Sequence, residues 1–576
     1  MSYSATPALV RLPIWRARFV LVLFLLGFVA VAGRSGYLQA IRTAFLKEEG
    51  EARYARVIDV PATRGRILDR NGEALAISTP VKSVWAMPEE LEADRRQRAA
   101  LARVLDMPLA TLERKLAEGK GRDFVYLKRQ LPPETARRVA ELKLPGVFEH
   151  REFRRYYPGG EVTAHVVGFT GVDDVGQEGM ELAYQSRLAG VAGSRRVIKD
   201  RHGGVVEDIG AIQAAQDGQD LVLSIDGKIQ TLAYGALKAA VRKHRAKAGA
   251  AIVIDVTSGE ILALVNLPSY NPNNRAKLAG AQLRNRALTD VFEPGSTLKP
   301  LTIALALETG KVTPRTMINT EGGRLTIADY TIRDAHPARA MSVTQVLQVS
   351  SNIGAAKIAL SMPSEAMWDL YRRTGLGSPP ELGFPGEATG RLRPYRSWRP
   401  IEQATMAYGH GISVSLVQLA RAYTVFARDG ELVPLTLLRS AGIAHGVKII
   451  SAETARAVRG MLEAAVQPTG TGPLARIVGW RVAGKTGTAH KLVNGGYAQD
   501  KYLSSFVGLA PVSAPRLIAA VVIDEPSTGG YYGGVVAAPV FAEVMRGALR
   551  LLGVPLDAPP EPFELPGEVD HAREST

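Results

Sequence analysis

The stretch Glu293-Pro-Gly-Ser-Thr-Leu-Lys-Pro300 constrains this chain more than any other. From Ser296 to Thr309 the residues are rich in Leu, Ile and Ala around most of a helical circumference, so the segment reads as a helix covered on all sides, closing before Gly310. Such a helix requires packed layers around it. Pro300 falls near the first turn, where a missing N–H costs least. The i, i+3 spacing puts the Ser296 hydroxyl beside the Lys299 amine, and a serine is a weak nucleophile until a nearby base takes its proton. The start of a buried helix also aims free N–H groups and a positive dipole end at whatever reacts there, which suits an oxyanion. Lys299 acts as a base only when neutral, and burial plus a second cation would lower its pKa from about 10.4.

A second lysine is available at Val482-Ala-Gly-Lys-Thr-Gly-Thr-Ala489, and Val349-Ser-Ser-Asn-Ile353 lies between the two. Each motif alone is weak. Ser269-Tyr-Asn271 is also S-x-N but precedes the serine, whereas Ser296 to Lys299 is the only S-x-x-K in the chain. The order S-x-x-K, S-x-N, K-T-G carries the signal. Pleat alternation puts Thr486 and Thr488 on one face of their strand and Lys485 on the other, so all three serve one site only if that strand is a locally twisted edge. Gly484 and Gly487 are expected to let a ligand backbone approach closely.

A chain of 576 residues exceeds one hydrophobic core. It has no cysteine, which excludes disulfides, thiolate metal sites and a cysteine nucleophile. Phe19 to Gly33 is uncharged between Arg18 and Arg34, with Arg11 and Arg16 before it; Trp15 and Tyr37 are placed to sit at the interfaces. We read residues 1–18 as a cytoplasmic tail, 19–37 as a transmembrane anchor and 38–60 as a helix-compatible stalk, the remainder being exported. Ala30-Val-Ala32 leaves a cleaved signal peptide as the competing reading. The net charge of +15 would suit nucleic acid or an anionic bilayer, but behind a membrane anchor nucleic acid drops out.

Residues 61–215 read as an N-terminal pedestal domain. Asn71-Gly72 marks a hairpin, and residues 88–143 carry helical amphipathic spacing. His165 has no metal-spaced partners and is assigned a structural role. Residues 216–553 read as the catalytic domain: Leu221–Ile225 a strand, Lys228–Val241 a helix, and 250–255 with 260–265 a hairpin, matched late by 505–509 and 517–522. The fold class is α+β, a largely antiparallel sheet packed with helices. Ser342-Val-Thr-Gln345 is a capping box opening a helix that ends at Ser350, so the second motif lies between helices. The proline-rich tail 554–576 is expected to join no core.

Taken together, the three motifs, Arg64-Gly-Arg-Ile-Leu-Asp-Arg-Asn-Gly72, Arg155-Tyr-Tyr-Pro158, His165 and Glu178-Gly-Met-Glu181 resemble the class B penicillin-binding proteins, monofunctional peptidoglycan D,D-transpeptidases. The string from Asn285 to Ser296 is similar to the septal, division-specific branch. The resemblance implies that Ser296 attacks the penultimate D-alanine of a peptidoglycan stem pentapeptide, with Lys299 as base. Ser350 would relay the proton, Asn352 would bond the substrate amide, and Lys485 would set the field. Thr486, Gly487 and Thr488 would bind substrate, and the backbone N–H groups of Ser296 and Thr488 would form the oxyanion hole. It further implies β-lactam antibiotics as ligands, no metal or organic cofactor, and a single-pass location in the bacterial inner membrane with a periplasmic catalytic domain. The implied partners are a membrane glycan polymerase and other divisome proteins. The alternatives are an elongation-type class B enzyme, a β-lactam hydrolase or sensor, and a non-catalytic division scaffold.

Overall fold

The computed structural model describes residues 13–42, 55–199, 205–276, 278–493 and 496–559. Near the N-terminus a helix of 23 residues, Ile14–Gly36, is exposed along its whole length. At 1.5 Å per residue it reaches about 34 Å, enough to cross a bilayer. It begins five residues before the uncharged run. Arg16 and Arg18 therefore extend the span and do not precede it, as long charged side chains at a helix end can.

Two compact units share the chain, and they interleave in sequence. One holds residues 1–62, 82–152 and 191–217; the other holds 63–81, 153–190 and 218–576. In the smaller unit the helices Arg95–Val104, Leu109–Glu118 and Pro133–Glu141 bury Leu101, Leu112 and Val139 against Val84 and Leu127. Asp94 opens the first with a capping box to Gln97. Val125–Leu131, inside the span expected to be helical, is a strand paired with the residues from Lys82 to Ala86. Val125, Tyr126 and Leu127 favour a pleated, half-buried surface, and pairing overrode the surrounding charge spacing. Ala55–Val60 is likewise a strand, antiparallel to Gly193–Lys199, where a helix-compatible stalk was expected. Residues 43–54 of the expected stalk lie outside the described residues.

In the larger unit the Asn71-Gly72 turn forms as expected, with Gly72 at φ +89° and the Asp69 carboxylate accepting the N–H groups of Asn71 and Glu73. Arg64 and Arg155 converge on the fully buried Glu181, each with its Nε 2.7 Å from a different carboxylate oxygen. Charges this deep persist only when paired, so these signature residues brace the unit. His165 does the same, its Nε2 2.7 Å from the Gln282 carbonyl oxygen.

The rest of this unit is a three-layer α/β/α arrangement. In chain order its main elements are α1 (Gly227–Lys243), β1 (Ala248–Asp255), β2 (Ile261–Leu267), α2 (Lys299–Glu308), α3 (Val343–Gln348), α4 (Asn352–Leu360), β3 (Ala483–Val493), β4 (Gly496–Ala510), β5 (Leu517–Asp524) and α5 (Ala538–Leu551). The five strands pair antiparallel in the order β2-β1-β5-β4-β3. Alternation sorts the side chains. Ala251, Val253, Val521 and Ile523 pack with α1 and α5 on one face, while Ala250, Ile252, Ile518 and Ala520 pack with α2 and α4 on the other. Both faces are buried, which explains why β1 and β5 are near-continuous apolar runs.

Candidate active site

Ser296 lies in a single 3-10 turn, Gly295–Leu298, that runs directly into α2. Neighbours on several sides fix this turn. The Thr297 hydroxyl donates to the Pro294 carbonyl at 2.7 Å, and the Tyr423 hydroxyl donates to the Thr297 carbonyl at 2.7 Å. Gly295 holds φ +58°, and Gly409 packs so closely that a Cβ there would stand 2.2 Å from the Gly295 carbonyl oxygen.

Lys299 follows one turn later, fully buried. Its Nζ is 3.0 Å from Ser296 Oγ, 3.1 Å from Ser350 Oγ, 2.8 Å from Asn352 Oδ1 and 2.6 Å from the Ser350 carbonyl. The last two atoms only accept, so they take two N–H groups. A neutral amine is then left with its lone pair toward the two serine hydroxyls. Burial first, and then the nearby Lys485 cation, push Lys299 well below the ordinary lysine range, against the opposing pull of Asp334. Burial alone brings Lys485 down to about 7.

Ser350 and Asn352 lie on the tight connection between α3 and α4, where Ser350 takes φ +62°, strained for a residue with a Cβ. Asp334 stabilises that connection. Its carboxylate accepts the Ser351 hydroxyl at 2.5 Å and the backbone N–H groups of Asn352 and Ile353 at 2.6 and 3.0 Å, capping α4. Nothing in the sequence marked Asp334, which precedes Ser351 by 17 positions. Asn352 is engaged at both ends of its amide, by Lys299 and by the Arg333 carbonyl at 3.3 Å. In this state it orients the lysine.

Among the described residues β3 pairs only with β4, at the edge of the sheet. That meets the edge part of the condition set for the K-T-G strand. Fully buried Lys485 turns its Nζ back onto the Thr486 carbonyl at 3.1 Å and hydroxyl at 3.2 Å. Thr486 and Thr488 face the open cleft; Thr486 Oγ1 is 2.9 Å from Thr471 Oγ1, and Thr488 Oγ1 accepts the Gly533 N–H at 3.0 Å. The glycines of this strand do not make room for a ligand. A Cβ on Gly487 would meet Ser505 Oγ at 2.3 Å and the Pro294 carbonyl oxygen at 2.9 Å, and one on Gly484 would meet the Phe506 ring at 2.5 Å. They let β3 close against the protein's own turn and core.

A cleft of about 740 Å³ opens over Ser296, Ser350, Asn352, Thr486 and Thr488. Its far wall is apolar and aromatic, formed by Leu474, Val535, Tyr502, Tyr531 and Tyr532, with Tyr502 and Tyr531 stacked at 3.9 Å. Sequence reasoning missed this wall, because its side chains come from β4, two short helical turns and the loop at Tyr531–Tyr532, with no shared period. Among the described residues no group of three or more His, Cys, Asp or Glu is placed to hold a metal ion.

A serine held against a buried lysine, with a hydroxyl relay and an edge strand beside it, defines an active-site-serine acyltransferase. Residues 249–546 match the family described as penicillin binding protein transpeptidase domain, and residues 59–223 match the penicillin-binding protein dimerisation domain. The chain belongs to the class B penicillin-binding proteins. It is 44% identical to the "Probable peptidoglycan D,D-transpeptidase PenA" of Neisseria gonorrhoeae, over 94% of this chain and 93% of that one. It is 42% identical to the peptidoglycan D,D-transpeptidase FtsI of Escherichia coli, over 94% and 93% of the two chains. The apo transpeptidase domain of Burkholderia pseudomallei penicillin-binding protein 3 matches 58% of this chain and 98% of its own at 52% identity, with a TM-score of 0.55.

Proposed function

We propose that this protein is a serine D,D-transpeptidase that cross-links peptidoglycan stem peptides at the division septum and is acylated by β-lactams. The observation that carries the reading is the fourfold contact of Lys299 Nζ with Ser296, the Ser350 hydroxyl and carbonyl, and Asn352.

In this mechanism neutral Lys299 takes the Ser296 proton as Oγ bonds to the carbonyl of the penultimate D-alanine. The backbone N–H groups of Ser296 and Thr488 receive the developing oxyanion, Lys485 sets the field, and Thr486 with Thr488 binds the terminal carboxylate. Collapse breaks the D-Ala–D-Ala amide; the proton passes through Ser350 Oγ to the leaving nitrogen, and D-alanine departs. An amine from a neighbouring stem peptide then attacks the ester, loses its proton through the same relay, and returns Ser296 to its hydroxyl form. Asn352 keeps Lys299 aimed throughout and becomes available to the substrate amide as the lysine moves its proton.

Exposed along its length, the N-terminal helix supports a single-pass anchor in the inner membrane with the N-terminus cytoplasmic and the catalytic domain periplasmic. On this reading residues 61–215 form the pedestal, residues 216–553 the transpeptidase domain, and a membrane glycan polymerase with other divisome proteins are the partners. Incubation of the full-length protein with a glycan polymerase and lipid-linked pentapeptide substrate should release D-alanine and yield cross-linked dimers, both lost in Ser296→Ala. Dimers formed by Ser296→Ala would overturn the proposal. A fluorescent fusion spread along the side wall and absent from the septum would instead favour an elongation role.

A further inference from the structure

Beside the proposed catalytic groups lies a polar cluster that the mechanism does not use. Glu293, three residues before Ser296, accepts the Gly411 N–H at 2.8 Å and the Tyr497 hydroxyl at 3.0 Å. His410 Nδ1 is 3.5 Å from the same carboxylate. The imidazole lies between two phenol rings, edge-on to Tyr408 at 5.3 Å and tilted to Tyr497 at 5.9 Å. The other side of this arrangement reaches the lysine, whose Nζ is 5.9 Å from the Tyr408 ring centre. Gly409, between the two aromatic positions, accepts the Gly295 N–H at 3.3 Å.

Three segments therefore meet at one carboxylate: the turn that carries Ser296, the Tyr408–Gly411 segment, and β4 through Tyr497. We propose that Glu293, His410 and Tyr497 form a proton-sensitive clasp that positions the Ser296–Lys299 turn and sets how readily Lys299 accepts the serine proton. With His410 neutral, Glu293 keeps its bond to Tyr497 and Lys299 faces no extra cation. Protonated His410 would draw Glu293 into an ion pair, and it would place a positive charge across the Tyr408 ring from Lys299. A like charge at that distance disfavours proton uptake by the lysine from solvent, so Lys299 stays neutral, and able to act as base, to lower pH.

The groups facing His410 are Glu293, Lys299, His490 and the rings of Tyr408 and Tyr497. Burial holds the imidazole below the ordinary histidine range; Glu293 opposes this, while Lys299 and His490 add to it. His490 is itself tied to the Ala498 carbonyl at 2.9 Å on the same hairpin.

The inference rests on the acyl-transfer reading, and acylation of full-length protein by a fluorescent penicillin between pH 5 and 8 separates the two. If wild type forms no Ser296 adduct, the reading itself fails. Given an adduct, wild type should lose rate on the acid side more gradually than the tenfold per pH unit of one proton, while His410→Gln should fall at higher pH with a single-proton slope. Tyr497→Phe, at a position 49% exposed, loses the clasp bond but keeps the imidazole. It should acylate about three- to tenfold more slowly at neutral pH with the gradual acid limb retained. Identical acid limbs in wild type and His410→Gln, or an unchanged rate in Tyr497→Phe, would overturn the proposal.

Discussion

Lys299 Nζ stands 3.0 Å from Ser296 Oγ with no water-accessible surface of its own. Replacing the lysine tests whether that contact is chemical or merely structural. Lys299→Arg keeps the positive charge, but a guanidinium stays protonated and has no lone pair to offer. Both Lys299→Arg and Lys299→Ala should acylate about 10²- to 10⁴-fold more slowly than wild type, read by stopped-flow fluorescence with a labelled penicillin.

Asp334 acts on the same lysine from a distance. Its carboxylate favours the Lys299 ammonium form, so Asp334→Asn should lower the lysine pKa and move the acid limb of acylation to lower pH. The cap on α4 weakens at the same time, and thermal unfolding should report about 1–2 kcal/mol of lost stability. A limb displaced toward higher pH would contradict the assignment.

Gly487 is held between Ser505, Pro294 and Thr297. Gly487→Ala inserts a methyl where no space exists and should cost about 1–3 kcal/mol, visible as a lower melting temperature. Because β3 would be displaced from the Ser296 turn, acylation should fall as well. Gly496→Ala, with open space around its Cβ, is the matched control and should leave both unchanged.

His165 offers a pH test of the fold, separate from catalysis. Burial, more than any other cause, depresses its pKa to about 4, the bond to Gln282 opposing. The folded imidazole is neutral, and on unfolding it takes up a proton whenever pH is below about 6.5. Its contribution is therefore complete above about 6.5, declines as pH falls toward 4, and amounts to about 3 kcal/mol at most. Denaturant unfolding of wild type and His165→Gln across pH 4 to 7 should show the shallower dependence in the variant.

Local chemistry made much of this protein legible in the sequence. Ser296 and Lys299 share a turn, the Ser342–Gln345 capping box opens α3, and Asn71-Gly72 makes a hairpin, each through interactions spanning a few residues. The approach of Lys485 to the same centre was legible only through motif order. Long-range placement explains what was missed. Asp334 acts across 17 positions, Tyr531 and Tyr532 arrive on a separate loop, and Val125–Leu131 becomes a strand through a partner some 40 residues earlier. The start of the proline-rich tail was also misjudged. Trp480 Nε1 donates to the Pro555 carbonyl at 3.0 Å and Asp557 accepts the Arg481 N–H at 2.7 Å, so residues 555–558 dock on the catalytic domain. For these first residues the expectation of a free tail failed because prolines removed helix signals without removing the groups that bond back; residues 560–576 lie outside the described residues.

The most direct test is intact-mass spectrometry of the protein after exposure to a penicillin, comparing wild type with Ser296→Ala. A serine acyl-enzyme requires one long-lived covalent adduct on wild type, localised to the peptide carrying Ser296, and none on the variant. An adduct that persists on Ser296→Ala, or a wild type that stays unmodified under conditions where it is folded, would contradict it.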